Sequence, residues 1–255
     1  MDFSKRASAI GIIPARFGAS RFPGKLLAPI FGRTVIERTY ERAMKAGRLD
    51  ALVVVCDDER IASCIEGIGG RAFMTSPHCP TGTDRIVEAV KRYPELASFD
   101  IVVNIQGDGP CIDPAAIDSV ISALEQDASE VMATCVVPIH DEHELNNPSV
   151  VKCIFSQSGH ALYFSRACIP ARRANMPGGH WKHVGLYAFR KSFLLTYGEL
   201  QETPLQRAED LEQLKAIEWG FPIKIVKTTG SSPHVDVPED IQKVERWLCN
   251  QNISL

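Results

Sequence analysis

The sequence predicts an α/β fold in which a mostly parallel β-sheet is covered by helices on both faces. Two observations favour this fold. Strand-like and helix-like segments alternate through the first half of the chain, and the strand-like segments are continuously apolar. A chain of 255 residues is long enough for one domain, or for one domain with a smaller appended lobe.

The first half of the chain supplies eight elements in βαβα order. Apolar, β-branched runs predict strands, and charges recurring at helical spacing predict helices. The predicted strands are residues 9–14, 52–55, 72–74 and 101–105, and the predicted helices are residues 35–46, 60–68, 86–92 and 115–124. Ligands bind outside the carboxyl ends of the strands in such sheets. The segments that follow the strands are therefore the candidate site.

The second half is less regular. Strands are predicted at residues 132–139, 150–155, 183–189 and 223–226, and a turn at residues 156–159 indicates a hairpin over 150–165. One helix is predicted over residues 208–219, stopped by Gly220 and Pro222, and a last helix from 238 to about 248. Residues 170–177, which include Arg172 and Arg173, are typical of an exposed loop.

Composition excludes several classes of protein. The net charge of -3 gives no field that would attract nucleic acid or an anionic membrane. We find no signal peptide and no apolar run of the ~20 residues that a membrane span needs. The 8 cysteines are scattered without a C-x-x-C pair, which fits reduced thiols rather than zinc ligands or disulfides. These features predict a cytoplasmic protein with no nucleic acid or membrane partner.

The loop after the first strand is a candidate phosphate site. Residues 18–25 read G-A-S-R-F-P-G-K, and glycines let backbone N–H groups approach an anion. Arg16, Arg21 and Lys25 bring three cations to this loop. The Walker A and Rossmann patterns are both absent. A solvated basic turn is the alternative.

A second loop, T-G-T-D-R at residues 81–85, precedes an amphipathic helix. Thr83 or Asp84 is of the right type for a helix N-cap, and that explains the segment without any ligand. Backbone groups of the same loop are also placed to contact a nucleotide base. Taken alone, the segment favours the helix cap, and the nucleotide contact is the alternative.

Two aspartates are candidate metal ligands. Asp108 follows the most apolar strand, and Mg²⁺ takes carboxylate oxygens together with substrate phosphates. A turn-forming role is the alternative for this residue. Asp236 lies in D-V-P-E, which is also a capping box with Pro238 in the first turn. A metal ion held by two carboxylates would neutralise the phosphate charge, as phosphoryl transfer requires.

Further polar candidates lie in the second half of the chain. Arg166 ends an apolar strand and can pair with a carboxylate substrate. His183 before an apolar strand is more often structural, and polar residues on a helix are usually solvated. The remaining candidates are Lys152, Tyr187, Glu212 and Gln213.

Taken in order, these segments resemble the family of cytidylyltransferases that make CMP-KDO. The resemblance covers nearly the whole chain, and no single motif carries it. The motifs are I-P-A-R-F-G-A-S-R-F-P-G-K at 13–25, T-G-T-D-R at 81–85, V-N-I-Q-G-D at 103–108, N-P-S-V-V-K at 147–152, A-L-Y-F-S-R-A-C-I-P at 161–170, H-V-G-L-Y-A-F-R at 183–190, E-D-L-E-Q-L-K at 209–215 and H-V-D-V-P-E-D at 234–240.

The resemblance implies a GT-A-like nucleotide-diphospho-sugar transferase fold. It implies one catalytic domain over residues 1–255, with a dimerisation subregion at roughly 140–200, and a homodimer. The implied reaction converts CTP and KDO to CMP-KDO and pyrophosphate with Mg²⁺ as cofactor, for lipopolysaccharide biosynthesis.

The resemblance also assigns roles to residues. Arg16, Lys25, Asp108 and Asp236 would be catalytic, and the two aspartates would hold the metal. The nucleotide would contact Ala15, Arg16, Arg21, Lys25, Thr81, Gly82, Arg85 and Gln106. The sugar would contact Gln106, Arg166, His183, Tyr187, Glu212 and Gln213.

One departure from the family pattern bears on specificity. The family usually reads Q-G-D-E-P, and Gly109 here replaces the glutamate. This keeps three alternatives open: another acidic sugar such as amino-KDO or sialic acid, a glycosyltransferase on the same fold, and a CTP-binding protein with an impaired site. A glycosyltransferase would usually carry a D-x-D-like motif at a strand end, and none is evident.

Overall fold

The computed structural model describes residues 6–18, 21–171, 179–230 and 233–251. The predicted loop at 170–177 lies mostly outside these ranges, as do Arg172 and Arg173. The chain divides into two compact units, residues 1–118 with 232–255 and residues 119–231. None of the described helices is long and apolar enough to cross a membrane.

The first unit is built on a parallel four-stranded sheet with the order β6-β1-β4-β5. Its strands are β1 Ala9–Ala15, β4 Ala51–Cys56, β5 Ala72–Met74 and β6 Ile101–Ile105, with a small antiparallel pair of β2 Pro29–Ile30 and β3 Arg33–Thr34. Its helices are α1 Val35–Ala43, α2 Glu59–Gly67, α3 Gly82–Arg92 and α9 Asp240–Asn250, and α4 Pro114–Gln126 runs from this unit into the next. Helix α3 packs against three of the four strands, β1, β4 and β6.

The second unit contains a mixed sheet. Its strands are β7 Met132–Ile139, β8 Lys152–Phe155, β9 Ala161–Ser165, β10 His180–Arg190 and β11 Lys224–Lys227. β7 pairs with β10 antiparallel and with β11 parallel, and β8 pairs antiparallel with β9 and β10. The short helices are α5 Glu142–Asn146, α6 Lys191–Glu199, α7 Pro204–Glu209 and α8 Leu214–Glu218.

The apolar runs form the core, as the sequence predicts. Nearly all of β1, β4 and β6 is buried, because these strands are covered on both faces. Cys56 and Cys135 are 0% exposed and pack as small hydrophobes, and all eight cysteines, which lie in the described ranges, are free thiols. The predicted α/β class with a largely parallel sheet is confirmed.

The prediction of a single helix over residues 208–219 is wrong. Two short helices, α7 and α8, occupy this segment, and Asp210 between them adopts a left-handed conformation at φ 52°. Arg166 donates to the carbonyl oxygens of Glu209 (2.7 Å) and Asp210 (3.1 Å). These carbonyls are therefore engaged by a side chain instead of accepting from the next helical turn.

Candidate functional site

The carboxyl ends of the four parallel strands in the first unit meet at one edge of the sheet. Ala15 ends β1 opposite Cys56 of β4, and Cys56 in turn lies opposite Met74 of β5. On the other side of β1, Ile12 lies opposite Asn104 of β6. The four loops that begin after these strands, at residues 16, 57, 75 and 106, therefore start side by side.

Lys25 lies between the two aspartates that the sequence predicts as metal ligands. Its ammonium Nζ is 2.6 Å from Asp108 Oδ2 and 3.3 Å from Asp236 Oδ1. The Arg21 guanidinium is 3.1 Å from the same oxygen of Asp236. Only 16% of the Lys25 side chain is exposed, so water screens its pairing with Asp108 poorly. Two carboxylates and two cations thus converge at one point of the sheet edge.

Backbone hydrogen bonds bring the distant segment 234–236 to Asp108. The Val235 N–H donates to the Asp108 carbonyl oxygen at 2.9 Å. The carboxylate of Asp240, the first residue of helix α9, then accepts from the backbone N–H groups of Asp236 (2.9 Å) and Val237 (3.0 Å). The predicted capping box at Asp236 is therefore wrong: Asp240 satisfies these donors, which leaves the Asp236 carboxylate directed at Lys25 and Arg21.

His234 belongs to this cluster, although the sequence analysis assigned it no role. Its Nδ1 is 3.5 Å from Asp108 Oδ1. Burial raises the pKa of Asp108, but a hydrogen bond from His234 and the charge of Lys25 outweigh it, so the pKa of this carboxyl is well below its usual range. Asp108 is an anion at neutral pH. The only sequence signal for His234 was its place in the motif H-V-D-V-P-E-D, two residues before Asp236.

Two glycines allow the close packing around Asp108. A Cβ at Gly107 would lie 3.2 Å from the Pro14 carbonyl oxygen and 3.2 Å from Ile36 Cδ1, so a side chain has no room there. A Cβ at Gly109 would lie 3.1 Å from His234 Cε1. The imidazole of His234 is therefore the side chain that neighbours Gly109.

The first predicted loop forms a closed turn beside the cluster. The Gly24 N–H donates to the Phe17 carbonyl oxygen at 3.2 Å, and Gly24 adopts φ 71°, which favours glycine. Lys25 follows in a short 3₁₀ helix. Arg16, directly after the buried Ala15, is exposed. The cations predicted for phosphate binding thus border one turn.

The second predicted loop caps helix α3. The N-cap is Thr81, whose Oγ1 accepts from the Asp84 N–H at 3.1 Å, so the capping role predicted for Thr83 or Asp84 is wrong. Thr83 faces inward and accepts from Asn104 Nδ2 at 3.0 Å, and Gln106 Nε2 donates to Asn104 Oδ1 at 3.1 Å. A Cβ at Gly82 would lie 3.1 Å from Pro14 Cγ, which places the start of α3 against the end of β1.

Arg85 is placed differently from the other predicted nucleotide contacts. It is 2% exposed, and its guanidinium donates to Asp57 Oδ2 (2.9 Å), Thr75 Oγ1 (2.7 Å) and the Ser76 carbonyl oxygen (3.1 Å). This side chain is engaged within the protein. An arginine at the end of T-G-T-D-R gave no indication in the sequence that it would bind these partners.

In the second unit, Tyr187 and Gln213 lie together. The Tyr187 hydroxyl donates to Gln213 Oε1 at 3.1 Å, and the His183 ring centroid is 5.4 Å from that of Tyr187. Gln213 is 2% exposed, and its buried Nε2 has no hydrogen-bond partner in the described part of the chain. Burial and the neighbouring Glu212 raise the pKa of Tyr187 well above its usual value, so its hydroxyl stays protonated and can donate.

Arg166 is fixed by its surroundings. Besides the carbonyls of Glu209 and Asp210, its guanidinium donates to the Pro148 carbonyl oxygen at 3.2 Å. Its carbonyl oxygen accepts from the buried Lys152 Nζ at 2.7 Å. The Glu209 carboxylate accepts from the Arg166 N–H at 2.8 Å and from Ser165 Oγ at 2.6 Å, a role that the sequence analysis missed.

His183 makes the folded protein sensitive to acid. Burial lowers the pKa of His183 to about 3, whereas an unfolded histidine has a pKa of about 6.5. Between these values only the unfolded chain binds the proton, so the free energy of unfolding falls as the pH drops below about 6.5. After allowance for partial exposure, we expect a loss of about 1–2 kcal/mol between pH 7 and pH 5.

Urea unfolding at the two pH values measures this loss in the wild type and in His183→Asn, which should show a smaller dependence on pH. His78→Asn, at an exposed histidine, is the matched control and should keep the wild-type dependence. An unchanged dependence in His183→Asn would contradict the assignment.

The cluster around Lys25 fits a divalent cation of the Mg²⁺ type. Asp108 and Asp236 already face one common positive charge, and carboxylate oxygens are ligands that Mg²⁺ prefers. In the described ranges, no group of three or more histidine, cysteine or acidic side chains forms a dedicated metal cage. Mg²⁺ usually keeps few protein ligands and completes its shell with water and substrate phosphates. The arrangement therefore suits a cation that arrives with a phosphorylated ligand.

Comparisons with known proteins agree with this chemistry. The profile of the family described as Cytidylyltransferase matches residues 10–243. A 3-deoxy-manno-octulosonate cytidylyltransferase of Protochlamydia amoebophila (strain UWE25) is 49% identical over 249 residues, which cover 96% of this chain and 96% of that protein. An 8-amino-3,8-dideoxy-manno-octulosonate cytidylyltransferase of Shewanella halifaxensis (strain HAW-EB4) is 46% identical over 238 residues, which cover 93% of this chain and 97% of the relative.

A solved structure shares the whole architecture. CMP:2-keto-3-deoxy-manno-octonic acid synthetase, complexed with CTP, matches with a TM-score of 0.90 and 35% identity, over 96% of this chain and 100% of that one. Fold, sequence profile and relatives together define a nucleotidyltransferase. The chain belongs to the cytidylyltransferase family, which confirms the resemblance carried by the ordered motifs.

Proposed function

We propose that this chain transfers a cytidylyl group from CTP to KDO, which gives CMP-KDO and pyrophosphate. The observation that carries the proposal is the Lys25 ammonium, which lies within 3.3 Å of both Asp108 and Asp236 at the sheet edge. Both aspartates and the basic loop sit in a chain that is 49% identical to a 3-deoxy-manno-octulosonate cytidylyltransferase. We infer that the product serves lipopolysaccharide biosynthesis in the cytoplasm.

In the proposed reaction the anomeric hydroxyl of KDO attacks the α-phosphorus of CTP in line with the leaving pyrophosphate. A bond forms between the sugar oxygen and Pα, the bond between Pα and the bridging oxygen breaks, and the hydroxyl proton is lost to water. Arg16, Arg21 and Lys25 bind the triphosphate and stabilise the charge that develops on the leaving group. Asp108 and Asp236 would hold Mg²⁺, which when bound would neutralise phosphate charge.

The remaining residues are assigned to the nucleotide or to the sugar acid. We assign further contacts with the nucleotide to protein backbone and side-chain amide groups at the sheet edge, at Ala15, Thr81, Gly82 and Gln106. From the family resemblance we assign contacts with the sugar acid to Gln106, Arg166, His183, Tyr187, Glu212 and Gln213. Gln213 supports this assignment most directly, because its buried amide Nε2 has no partner among the described residues and would donate to a sugar oxygen. Arg85 contributes to the nucleotide site indirectly, through its hydrogen bonds to Asp57, Thr75 and Ser76.

A second candidate substrate is 8-amino-3,8-dideoxy-manno-octulosonate. Gly109 keeps the choice of sugar open, because it replaces the glutamate of the resembled family's pattern beside Asp108, and a Cβ there would lie 3.1 Å from His234 Cε1. A relative that is 46% identical carries the name of this activity. Other acidic sugars such as sialic acid share the carboxylate but differ in the rest of the ring.

One assay tests the proposal. Pyrophosphate release is measured with CTP and Mg²⁺ against KDO, its 8-amino analogue and sialic acid, and then with ATP, GTP or UTP in place of CTP. We expect the highest kcat/KM with CTP and KDO, and no turnover in EDTA until Mg²⁺ is restored. A higher kcat/KM with the 8-amino analogue would transfer the assignment to that sugar, and CTP binding without pyrophosphate release would indicate an impaired enzyme.

We also propose a homodimer whose contact surface lies in the subregion at roughly 140–200, within one catalytic domain over residues 1–255. The proposal rests on the family resemblance. Light scattering on the protein used for the assay measures its mass in solution, and a monomer at the working concentration would contradict it.

A further inference from the structure

Asp57 lies between the two loops that we propose to bind CTP. It is the first residue after β4, directly beyond Cys56, which pairs with Ala15 of β1 on one side and Met74 of β5 on the other. Its carboxylate is therefore next to the beginning of the basic loop and next to the segment that leads to Thr81. From the sequence, the loop that begins at Asp57 was predicted only as one of the four segments that follow the strands.

The Asp57 carboxylate uses one oxygen for each neighbour. Oδ1 accepts from the Phe17 backbone N–H at 2.9 Å, and Oδ2 accepts from the Arg85 guanidinium at 2.9 Å. The ion pair is nearly dry, because the side chains of Arg85 and Asp57 are 3% and 10% exposed. A buried pair of this kind holds its geometry strongly, since either charge left alone would be costly.

Through Phe17, Asp57 fixes the turn that carries the phosphate-binding cations. The Phe17 carbonyl oxygen closes the turn by accepting from Gly24, the residue before Lys25. The Arg60 guanidinium lies over the Phe17 ring, 3.5 Å from its centroid, and packs against it. A shift of Phe17 would therefore move both ends of the turn, and with them the residues that flank it.

Through Arg85, Asp57 fixes the second loop. Arg85 also donates to Thr75 Oγ1 and to the Ser76 carbonyl oxygen, so it ties helix α3 to the segment after β5. The Glu88 carboxylate, one turn further along α3, accepts from the Ser76 N–H at 2.9 Å and from Cys79 Sγ at 2.9 Å. The loop before Thr81 is thus anchored on α3, and α3 is anchored on Asp57.

We propose that Asp57 is a positioning residue that sets the distance between the two nucleotide-binding loops. The inference rests on the proposed use of CTP and deepens it. Asp57 binds no part of the substrate. It holds the backbone of the basic turn and the base of helix α3 in the arrangement that accepts a nucleoside triphosphate, so its loss affects CTP more than the sugar acid.

The test is Asp57→Asn. Asparagine keeps an oxygen for the Phe17 N–H but leaves the buried Arg85 cation without its anion. Misplacement of a binding group by about 1 Å can cost about a hundredfold, so we expect KM for CTP to rise by about ten- to a hundredfold. The KM for the sugar acid, measured at saturating CTP, should stay within about twofold of the wild type if binding of the sugar is independent of this pair.

Two further variants separate positioning from stability. Asp57→Asn combined with Arg85→Met removes the unpaired charge, so thermal stability should recover while KM for CTP stays high. Asp50→Asn is the matched control, because Asp50 also accepts a backbone N–H, that of Ala9 at 2.8 Å, and pairs with Arg6, but at the opposite end of β1. It should leave KM for CTP unchanged.

The inference is overturned if Asp57→Asn has a wild-type KM for CTP, if it raises both substrate KM values equally, or if the double variant recovers CTP affinity together with stability. Calorimetric binding of CTP without sugar gives the same comparison independently of turnover. If the wild type binds CTP but releases no pyrophosphate with KDO, the proposed reaction fails while the effect of Asp57 on CTP affinity is still measured.

Discussion

Asp108→Asn is expected to lower kcat for pyrophosphate release by more than about a thousandfold, which corresponds to about 4 kcal/mol of transition-state stabilisation. Asp108 is held as an anion by His234 and Lys25, and we propose that it is one of two carboxylates that hold Mg²⁺. Asparagine removes the negative charge but keeps the size of the side chain and an oxygen that can accept from Lys25. The variant should therefore fold and lose the chemistry.

Steady-state assays with CTP, KDO and Mg²⁺ measure the effect, and far-UV circular dichroism with thermal unfolding checks the fold. Asp113→Asn is the matched control: Asp113 follows the same strand, but its Oδ1 accepts from the Ala115 N–H at 3.0 Å near the start of α4. Asparagine serves that role as well as aspartate does. Wild-type turnover in Asp108→Asn would refute the metal role of this residue.

The elements that the sequence predicts correctly are those whose pattern is local. β1, β4 and β6 are continuous apolar runs, and the structure buries them within one or two residues of the predicted bounds. The helix over residues 208–219 failed because its interruption comes from a distant side chain. Arg166 takes the carbonyls of Glu209 and Asp210, and no feature of the helical segment itself reports that contact.

The same limit applies to the site. Lys25 is separated from Asp108 by 83 residues and from Asp236 by 211. Spacing alone therefore left a turn role open for Asp108 and favoured a capping role for Asp236. Order along the parallel sheet predicted which loops share an edge. Side-chain partners decided the rest: Asp240 accepts from the backbone N–H groups of Asp236 and Val237, and Arg85 pairs with Asp57.

Lys25→Met is expected to lower kcat/KM for CTP by more than about a hundredfold and, in the absence of nucleotide, to tighten the binding of a divalent cation. Lys25 neutralises the two carboxylates at 2.6 and 3.3 Å, so its ammonium competes with a metal ion for the same oxygens. Once the ammonium is removed, Asp236 keeps Arg21 and Asp108 keeps His234, but no single cation bridges the two carboxylates. We expect Mn²⁺ to bind about tenfold more tightly, a change of about 1.4 kcal/mol.

Calorimetric titration with Mn²⁺ and steady-state assays on the same protein measure the two opposite effects. Lys45→Met, at an exposed lysine beyond the end of α1, is the control and should change neither. Lys25→Arg keeps the charge but not the compact ammonium, so it should leave Mn²⁺ binding weak and restore only part of the turnover. Mn²⁺ binding that weakens in Lys25→Met would mean that the carboxylates need Lys25 to stay in place, and that the cation and the metal do not share a site.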